Sequence, residues 1–461
     1  MSNHDISIIR GITAASLSAD SRLILSSDSL PAMRLGDVCW EGLKSMSIES
    51  LFPVQKICTN LIISRQETPR NSPYDCDICV SAPTGSGKSL AYLLPIIHGL
   101  ASRTRPVLRA LIVLPTRDLA LQVSAVMSNF CGRPGTDLTV RTFIGQQSMA
   151  QERAELLSTT NPPDMAVATI GRLVDHLVIG SLDLSYLSWL VVDEADRMLS
   201  KSDLDKWSLI LASVPETCHR LLFSATMTAN PLKLNKLRLT RPLFVSVGDA
   251  EQPSVSGGGL PSTIVHRYIV APNKSMKVRC LLRVLEMLFS AGGSELFDKP
   301  AARCLILCRT NENVQSLSTL LKSYYRNGDS CVVPQAFSGN MTGKQREKLL
   351  SKFAAGLANC VVSTDVITRG IDIADIDVVV NYDVPKHATT YIHRAGRTGR
   401  AGKSGLVVSM TESKEMRHFR KEIIASDPRL KKAMSRFTVD FSTVMSHGDL
   451  EAIASGNEDS E

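Results

Sequence analysis

Two short stretches of the chain combine residue types that could bind a polyphosphate and a divalent cation. The first is Ala82-Pro83-Thr84-Gly85-Ser86-Gly87-Lys88-Ser89, which lies between an apolar run and a helical pattern. Backbone N–H groups of such a glycine-rich loop, together with the dipole of the following helix, bind phosphate groups. Lys88 would contact the terminal phosphates and Ser89 would coordinate Mg²⁺. The order of strand, glycine-rich loop and helix predicts a phosphate-binding loop (P-loop), although Ala82 stands where the strict pattern has glycine.

The second stretch is acidic. Val191 and Val192 run directly into Asp193-Glu194-Ala195-Asp196, which predicts a buried strand that ends in carboxylates. In an open parallel sheet, ligands bind at the carboxyl ends of the strands, where an acid can hold a metal ion and orient a nucleophile. Taken alone, the tetrapeptide fits a helix cap equally well, and the upstream P-loop is what favours a metal-assisted site.

Polar or basic loops also follow four other predicted strands, at 110–114, 140–144, 165–168 and 220–223. Arginines and backbone N–H groups at helix starts suit phosphodiesters. Any one of these loops is better explained as a cap or turn, but the first three in succession favour a polyanion-binding surface. The candidate residues in these four loops are Arg117, Gly145, Thr169, Arg172, Ser224 and Thr226.

Gln55 follows Pro53 at the start of a predicted helix, because proline suits the first helical turn. We therefore expect Gln55 on an exposed turn. Its amide could pair with the N6 and N7 atoms of adenine. An ordinary polar surface residue is the alternative.

The composition describes an ordinary globular protein with a modest positive charge. The 461 residues are 44% hydrophobic and 21% charged, and the net charge is +7. This charge permits a polyanionic partner without requiring one. No run of about 18 apolar residues predicts a membrane span, and residues 1–20 lack the apolar core of a secretory signal. The 11 cysteines indicate reduced thiols, and we expect Cys76 and Cys79 to pack rather than to bind metal.

Strands and helices alternate on both sides of a Gly- and Ser-rich stretch at 252–259, which predicts an α/β fold with two doubly wound parallel sheets. In the second half, strands are predicted at 263–270, 304–308, 332–333, 360–363 and 378–380, and helices at 276–289, 314–324 and 345–353. The predicted organisation is a flexible N-terminal segment (1–38), a first domain (39–247), a flexible linker (248–262), a second domain (263–427) and a C-terminal tail (428–461). The tail starts with a short basic helix at 429–436.

The loop His393-Arg394-Ala395-Gly396-Arg397-Thr398-Gly399-Arg400 is the most informative one of the second half. Arg397 and Arg400 are three residues apart and would share one face if the segment is helical. Paired guanidiniums suit the transition state of phosphoryl transfer. A patch that binds RNA phosphates is the alternative.

These motifs and their order resemble those of the DEAD-box ATP-dependent RNA helicases. The resemblance rests on Asp193–Asp196, Ser224–Thr226, the P-loop, Pro115–Ala120 and Gln55, and with the arginine loop it spans residues 52–400. It implies two tandem RecA-like domains, ATP and Mg²⁺ as cofactors, RNA as partner, and hydrolysis of ATP coupled to local unwinding of RNA. Leu51–Gln55 is most similar to the subgroup that acts in large ribosomal subunit biogenesis, which implies a nucleolar protein with unidentified protein partners. We expect a monomer without membrane contact.

The resemblance also implies roles for individual residues. Those implied to catalyse hydrolysis are Lys88, Asp193, Glu194, Arg397 and Arg400. Those implied to bind ATP or Mg²⁺ are Gln55, Ala82, Pro83, Thr84, Gly85, Ser86, Gly87, Lys88, Ser89, Asp193 and Asp372. Those implied to bind RNA are Arg117, Gly145, Thr169, Arg172, Arg346 and Thr364, and those implied to couple the two events are Asp196, Ser224, Thr226 and His393.

Several positions depart from the family pattern. Phe52 replaces threonine, Gln146 replaces glycine, Ile170 replaces proline and 337–340 replaces His-Gly-Asp. At the expected upstream position for adenine stacking there is no aromatic residue, and Trp40 is the nearest substitute. These departures affect the expected adenine selectivity and RNA affinity. Two rival functions remain, an ATP-gated RNA clamp with little turnover and a DNA translocase, and they differ in which polymer stimulates ATP hydrolysis.

Overall fold

The structure is a computed structural model. It describes residues 22–24, 35–66, 76–82, 85–101, 106–132, 136–158, 162–199, 201–225, 237–246, 263–290, 295–297, 301–326, 332–338, 341–365, 367, 376–400 and 403–439. The chain divides into two compact units, Met1–Gly259 and Leu260–Glu461, which we call the N-terminal and C-terminal units. The division falls within the predicted linker, whose residues 248–262 lie outside the described ranges.

One parallel sheet forms the centre of the N-terminal unit. Its strands are β1 (Arg22–Ile24), β2 (Ile78–Ser81), β3 (Ala110–Leu114), β4 (Val140–Phe143), β5 (Met165–Thr169), β6 (Trp189–Asp193), β7 (His219–Ser224) and β8 (Leu243–Ser246). Its helices are α1 (Asp37–Ser45), α2 (Pro53–Gln66), α3 (Lys88–Leu100), α4 (Arg117–Met127), α5 (Met149–Leu156), α6 (Ile170–Val178), α7 (Ala195–Met198) and α8 (Lys201–Ser213). The strand order is β1-β8-β2-β7-β6-β3-β5-β4. All neighbours are parallel, so every strand ends at the same edge of the sheet.

Two apolar layers cover the faces of this sheet. In β3, Ile112 and Leu114 pack into one layer, whereas Leu111 and Val113 pack into the other. Successive side chains of a strand point to opposite faces, so a strand that is covered on both sides is a continuous apolar run. Each fully buried aliphatic side chain stabilises the fold by ~1.5–3 kcal/mol. The loops at the sheet edge are therefore anchored on a well-packed core.

The C-terminal unit repeats this architecture. Its strands are β9 (Ile264–Ala271), β10 (Cys304–Leu307), β11 (Pro334–Phe337), β12 (Cys360–Ser363), β13 (Val378–Asn381), β14 (Gly405–Glu412) and β15 (Met434–Arg436). Its helices are α9 (Lys274–Phe289), α10 (Asn311–Arg326), α11 (Gly343–Ala354), α12 (Ala388–Ala395), α13 (Met416–His418) and α14 (Pro428–Ala433), with a π turn (Phe419–Ile423) and a 3₁₀ turn (Ile424–Ser426) between the last two. The seven strands are parallel in the order β11-β12-β10-β13-β14-β9-β15.

Most predicted elements are confirmed. The strands predicted at 110–114 and 360–363 coincide with β3 and β12, and the other confirmed strands differ by one or two residues at their ends. β8 and β14 were not predicted, although the run Leu406-Val407-Val408 in β14 carries a strand signal. Residues 22–24, in the segment predicted to be flexible, form β1 and pair with β8.

Two predictions for the C-terminal unit are wrong. The strand predicted at 332–333 lies two residues further on, because the ladder between β11 and β12 begins with Pro334 opposite Cys360. Proline is tolerated there because β11 is an edge strand. The basic helix predicted at 429–436 ends at Ala433, and Met434–Arg436 instead pairs with β9. Backbone pairing with the open edge of β9 outweighs the local helical pattern.

The described cysteines are buried free thiols, in agreement with the predicted packing role of Cys76 and Cys79. Burial raises the pKa of the Cys79 thiol. Among the helices that the structure describes, none combines the length and apolarity needed to cross a bilayer.

We predict that His266 makes the C-terminal unit sensitive to acid. Burial lowers the pKa of His266 from 6.5 to about 4, although Asp427 opposes this shift, and Nδ1 pairs with the Tyr391 hydroxyl at 2.8 Å. Between these two pKa values the unfolded chain binds a proton that the folded chain does not. The free energy of unfolding should therefore fall by up to about 3 kcal/mol as the pH falls from 6.5 to 4. Urea unfolding of wild type and His266→Gln at several pH values measures this, and equal pH slopes for the two proteins would contradict the prediction.

Candidate functional site

The P-loop joins β2 to α3. Gly85 and Gly87 have φ of 77° and 83°, in the left-handed region that favours glycine. The Lys88 ammonium donates to the Ala82 carbonyl at 3.0 Å, so the lysine folds back over its own loop. The N-cap residue of α3 is Gly87, which has no side chain to bond the first N–H groups of the helix. A phosphate site needs these N–H groups. Of the other predicted phosphate-binding residues, Ser86 and Ser89 are half-buried, and Pro83 and Thr84 lie outside the described residues.

Gln55 is buried, and the prediction of an exposed turn is wrong. Its side chain is 2% exposed. Its amide nitrogen donates to the Gly87 carbonyl at 3.1 Å, and its carbonyl oxygen accepts the N–H of Phe52 at 2.8 Å. A Cβ at position 87 would lie 2.2 Å from the Gln55 amide nitrogen, so only glycine allows this approach. The Gln55 side chain, on the first turn of α2, therefore packs against the P-loop, while its neighbours Pro53 and Lys56 are exposed.

Asp193 is the last residue of β6 and is buried beside the P-loop lysine. Burial raises the pKa of its carboxyl group to about 6, although the nearby Lys88 charge acts in the opposite direction. The Tyr92 hydroxyl donates to Oδ2 at 3.0 Å and the Glu194 N–H donates to Oδ1 at 2.8 Å. The tertiary structure thus brings the acidic stretch and the P-loop together, as predicted.

Glu194 has a strained backbone. Its φ of 50° is left-handed, which is uncommon for a residue with a Cβ and costs ~1–3 kcal/mol. Its carboxylate pairs with Arg197 at 2.8 Å. Such strain persists only where the surrounding structure imposes it.

Ser224, at the end of β7, links the acidic stretch to the P-loop. Its hydroxyl donates to Asp196 Oδ1 at 2.5 Å, and its carbonyl accepts the N–H of Ala82 at 3.1 Å. One residue therefore connects the acidic stretch to the P-loop, and its coupling role toward RNA stays a prediction. Thr226, its predicted partner, lies outside the described residues.

The residues present fit Mg²⁺. This ion prefers oxygen ligands and keeps several waters, and it is usually held by one or two carboxylates together with substrate phosphates. The Tyr92 hydroxyl donates to Asp193 Oδ2 at 3.0 Å and also interacts with Ser89, so the two predicted oxygen ligands lie beside the same hydroxyl. Within the described ranges no group of three or more His, Cys, Asp or Glu side chains could hold a metal by itself. The chemistry of this donor set agrees with an ion completed by water and phosphate.

The predicted RNA-binding residues of the N-terminal unit cluster at the other half of the same edge. A Cβ placed on Gly145, which has φ of 74°, would lie 3.4 Å from Arg117 Nη2 and 3.8 Å from Arg172 Nε. Arg117 is exposed at the start of α4, and Thr169 is the N-cap of α6. Ile170, where proline was expected, is the first residue of α6 and packs into the core.

Glu152 organises this cluster, and no sequence motif had indicated it. The residue is 1% exposed. It accepts hydrogen bonds from Arg172 Nε at 2.6 Å and from the Gly145 N–H at 3.1 Å, and it pairs with His176 Nε2 at 2.8 Å. Burial by itself raises the pKa of Glu152, but the bonds from His176, Arg172 and Gly145 outweigh it and hold the pKa below its usual value. An ionised Glu152 therefore orients both the arginine and the turn.

In the arginine loop of the C-terminal unit, the condition for a shared helical face is not met. α12 ends at Ala395, so Arg397 and Arg400 lie beyond the helix and do not share a helical face. Their Nε atoms donate to carbonyls four residues earlier, those of His393 at 3.3 Å and Gly396 at 3.2 Å. Arg397 and His393 are buried, and Arg400 is half-buried.

Arg394, to which the sequence gave no role, is the best-anchored residue of this loop. Its guanidinium binds both carboxylate oxygens of Asp365, at 2.6 and 3.0 Å. It also donates to Asn381 Oδ1 at 3.1 Å and to the Asp383 carbonyl at 2.6 Å. Bidentate pairing of this kind fixes orientation as well as distance. Arg394 thus ties the arginine loop to the segments after β12 and β13.

The remaining predicted residues of the C-terminal unit are less informative. Thr364 is buried directly after β12, and Asp372 lies outside the described residues. The guanidinium of Arg346, on α11, lies 5.8 Å from the centre of the ring of Phe337, on β11.

Comparison with known proteins agrees with this geometry. The family profile described as DEAD/DEAH box helicase matches residues 52–234, and that of the helicase conserved C-terminal domain matches residues 278–402. The probable ATP-dependent RNA helicase Dbp73D of Drosophila melanogaster is 36% identical over 83% of this chain and 60% of its own length. Human ATP-dependent RNA helicase DDX51 is 33% identical over 86% of this chain and 64% of its own length. The DEAD-box ATP-dependent RNA helicase 1 of Arabidopsis thaliana is 32% identical over 87% of this chain and 82% of its own length. The chain therefore spans less than two thirds of the length of the first two relatives.

Solved structures show the same fold. Mss116p bound to single-stranded RNA and AMP-PNP superposes with a TM-score of 0.74 at 21% identity, covering 94% of this chain and 84% of that one. S. cerevisiae Dbp5 bound to RNA and ADP BeF3 superposes with a TM-score of 0.68 at 22% identity, covering 92% of this chain and 98% of that one. At this identity the likeness establishes the fold, two tandem RecA-like domains. Since the two family profiles cover the motifs that the fold assembles and a relative that is 32% identical is covered over 82% of its length, the chain belongs to the DEAD-box ATP-dependent RNA helicase family.

Proposed function

We propose that this chain is an RNA-stimulated ATPase that uses ATP binding and hydrolysis to unwind short RNA duplexes locally. One observation carries the proposal most directly. Along the edge of the N-terminal sheet, the ATP-site residues follow β2, β7 and β6, and the predicted RNA-binding residues follow β3, β5 and β4. The two sets occupy adjacent halves of one rigid edge, which is the arrangement needed for one ligand to influence the other.

In the proposed reaction, Lys88 and the N–H groups at the start of α3 bind the terminal phosphates of ATP. Mg²⁺, held by Ser89 and through water by Asp193, would neutralise phosphate charge when bound. Glu194 orients and deprotonates the attacking water, a contribution that is typically worth ~10²–10⁴ in rate. Gln55 holds the P-loop backbone in place beside the adenine.

The proposal also includes the roles predicted for the C-terminal unit. Arg397 and Arg400 stabilise the charge that develops on the transferred phosphoryl group, and Asp372 contacts the ribose. Arg394 supports both arginines by fixing the loop that carries them, because its guanidinium is bound on three sides. Arg346 and Thr364 contact RNA phosphates.

The biological process that we propose is ribosome biogenesis, in the nucleolus. The support is the likeness to DDX51 and to the ATP-dependent RNA helicases called dbp6 in Schizosaccharomyces pombe and DBP6 in Candida glabrata, at 30–37% identity. In this setting the substrate would be pre-ribosomal RNA, and protein partners would select it.

We expect RNA, and not DNA, to stimulate ATP hydrolysis by the purified chain. Backbone contacts through arginines and loop N–H groups predict stimulation by RNAs of unrelated sequence and a steep loss of stimulation with salt. The measurement is the steady-state ATPase rate without polymer, with RNA and with DNA of equal length. Stimulation by neither polymer would indicate the ATP-gated clamp, and stimulation by DNA alone would indicate a DNA translocase.

Replacement of Glu194 by Gln should lower the RNA-stimulated ATPase rate by at least about 10²-fold, because the amide cannot accept the proton of the attacking water. ATP-dependent RNA binding should remain, and RNA should leave more slowly than from wild type. Stopped-flow release of a labelled RNA measures this. Glu216→Gln, the same change at an exposed position of the same unit, serves as control. Release of RNA from Glu194→Gln at the wild-type rate would contradict the proposed link between hydrolysis and release.

Replacement of Glu152 by Gln should weaken RNA binding by about tenfold while the affinity for ATP stays unchanged. The neutral amide no longer holds Arg172, so one phosphate contact is lost and the salt slope of RNA binding falls by about 0.7. Glu155→Gln is the matched control, since Glu155 lies on the same helix and pairs with Arg141 at 3.6 Å in a partly exposed position. Equal RNA affinities and salt slopes for Glu152→Gln and wild type would count against the positioning role, and thermal unfolding of both variants monitors folding.

A further inference from the structure

His176, on α6, is a buried histidine to which neither the predicted motifs nor the proposed reaction gives a role. Its side chain is 1% exposed. The edge of its ring packs against Phe143 at the end of β4, with 5.5 Å between the ring centres. A buried histidine is usually a core residue whose polar atoms are satisfied, so its hydrogen-bond partners must decide whether it does more.

His176 holds the carboxylate that orients Arg172. Its Nε2 lies 2.8 Å from Glu152 Oε2, the oxygen that also accepts from Arg172 Nε at 2.6 Å. An ionised carboxylate only accepts hydrogen bonds, so Nε2 carries the proton of this pair. Burial is the largest influence on the pKa of Glu152 and raises it, and among the hydrogen bonds that outweigh burial the one from His176 contributes most. The histidine, more than the arginine, therefore keeps this carboxylate ionised.

The C-terminal end of α6 fixes the other ring nitrogen of His176. Gly180, which has φ of 65°, donates its N–H to the Leu177 carbonyl at 3.1 Å, and the Ser181 N–H donates to the His176 carbonyl at 3.0 Å. These two hydrogen bonds form a Schellman motif. The motif places the Ser181 hydroxyl 2.9 Å from His176 Nδ1, where Ser181 is 3% exposed. The way in which α6 ends thus sets the position of the imidazole ring.

The same contacts leave one nitrogen of Arg172 available to a ligand. Arg172 Nη2 donates to the Gln147 carbonyl at 3.0 Å, and Nε is bound to Glu152. Among the residues that the structure describes, none accepts a hydrogen bond from Nη1. Glu152 Oε1 accepts the Gly145 N–H at 3.1 Å, so the carboxylate also fixes the loop after β4. Two predicted RNA contacts therefore depend on one carboxylate, which His176 holds.

We propose that His176 is a positioning residue for RNA binding, and that Ser181 holds it in place from the C-terminal end of α6. This inference rests on the proposed function, in which Arg172 and Gly145 contact RNA. The histidine acts through Glu152, because its Nε2–H keeps the carboxylate in one orientation and so keeps the guanidinium in one orientation. Without this donor the carboxylate can rotate, and the arginine must lose more freedom when it binds a phosphate.

The test compares two replacements of His176 in RNA-binding titrations of the full chain with a non-hydrolysable ATP analogue. His176→Leu removes the donor at similar volume and should weaken RNA binding by about tenfold, while the affinity for the analogue stays unchanged. His176→Gln offers an amide N–H in place of Nε2–H and should bind RNA within about twofold of wild type. His219→Leu is the matched control, since this half-buried histidine lies at the amino end of β7, at the opposite edge of the sheet.

Two further variants separate positioning from a general effect on the fold. In an Arg172→Ala background, His176→Leu should weaken RNA binding by at most about twofold more, because the histidine acts largely through the arginine. Ser181→Ala should weaken RNA binding by a smaller factor than His176→Leu, about threefold. Thermal unfolding of each variant sets a temperature at which all of them are folded for the titrations.

The outcomes distinguish this inference from the proposed function. Wild-type RNA affinity in His176→Leu, an equal loss in His176→Gln, a parallel loss of nucleotide affinity, or a full tenfold further loss in the Arg172→Ala background would each overturn the positioning role and leave the proposed function intact. Wild-type affinity in Ser181→Ala would overturn the part assigned to the end of α6. Failure of the wild-type chain to bind RNA would overturn both proposals. A loss that glutamine restores and that Arg172→Ala abolishes would support the inference.

Discussion

The parallel pairing of the strands is the constraint on which the site depends. Because the strands of the N-terminal sheet all run in one direction, every loop that carries a functional side chain emerges at one edge. The strand order then divides this edge. β2, β7 and β6 bring together the P-loop, Ser224 and Asp193, while β3, β5 and β4 bring together Arg117, Arg172 and Gly145. The adjacent pair β6 and β3 joins the two halves.

Within the half of this edge that carries the P-loop, polar side chains are held in place by hydrogen bonds to other parts of the site. Gln55 bridges Phe52 to Gly87, and Ser224 bridges Asp196 to Ala82. These contacts fix the loop. Burial raises the pKa of Asp193 and the backbone of Glu194 is left-handed, so the site contains groups that a fold selected for stability alone would avoid.

Arginines are positioned by the same means in both units. In the N-terminal unit the buried carboxylate of Glu152 orients Arg172, and in the C-terminal unit Asp365 orients Arg394. Both pairs join segments that are distant in sequence, by 20 and 29 residues. A guanidinium that a carboxylate already holds, as Glu152 holds Arg172, loses little further freedom when it binds an anion, whereas the fully engaged Arg394 fixes the loop around it.

The sequence by itself determined the α/β class, the two doubly wound sheets, the P-loop and the acidic strand end. These features depend on local apolar runs and glycines, which act over a few residues. It did not determine the burial of Gln55, the anchoring roles of Glu152 and Arg394, the end of α12 before Arg397, or the pairing of Met434–Arg436 with β9. Those features depend on which segments the strand order makes neighbours, and a hydrogen bond or an edge pairing between distant segments leaves no periodic signal in the chain. Only the tertiary structure could decide them.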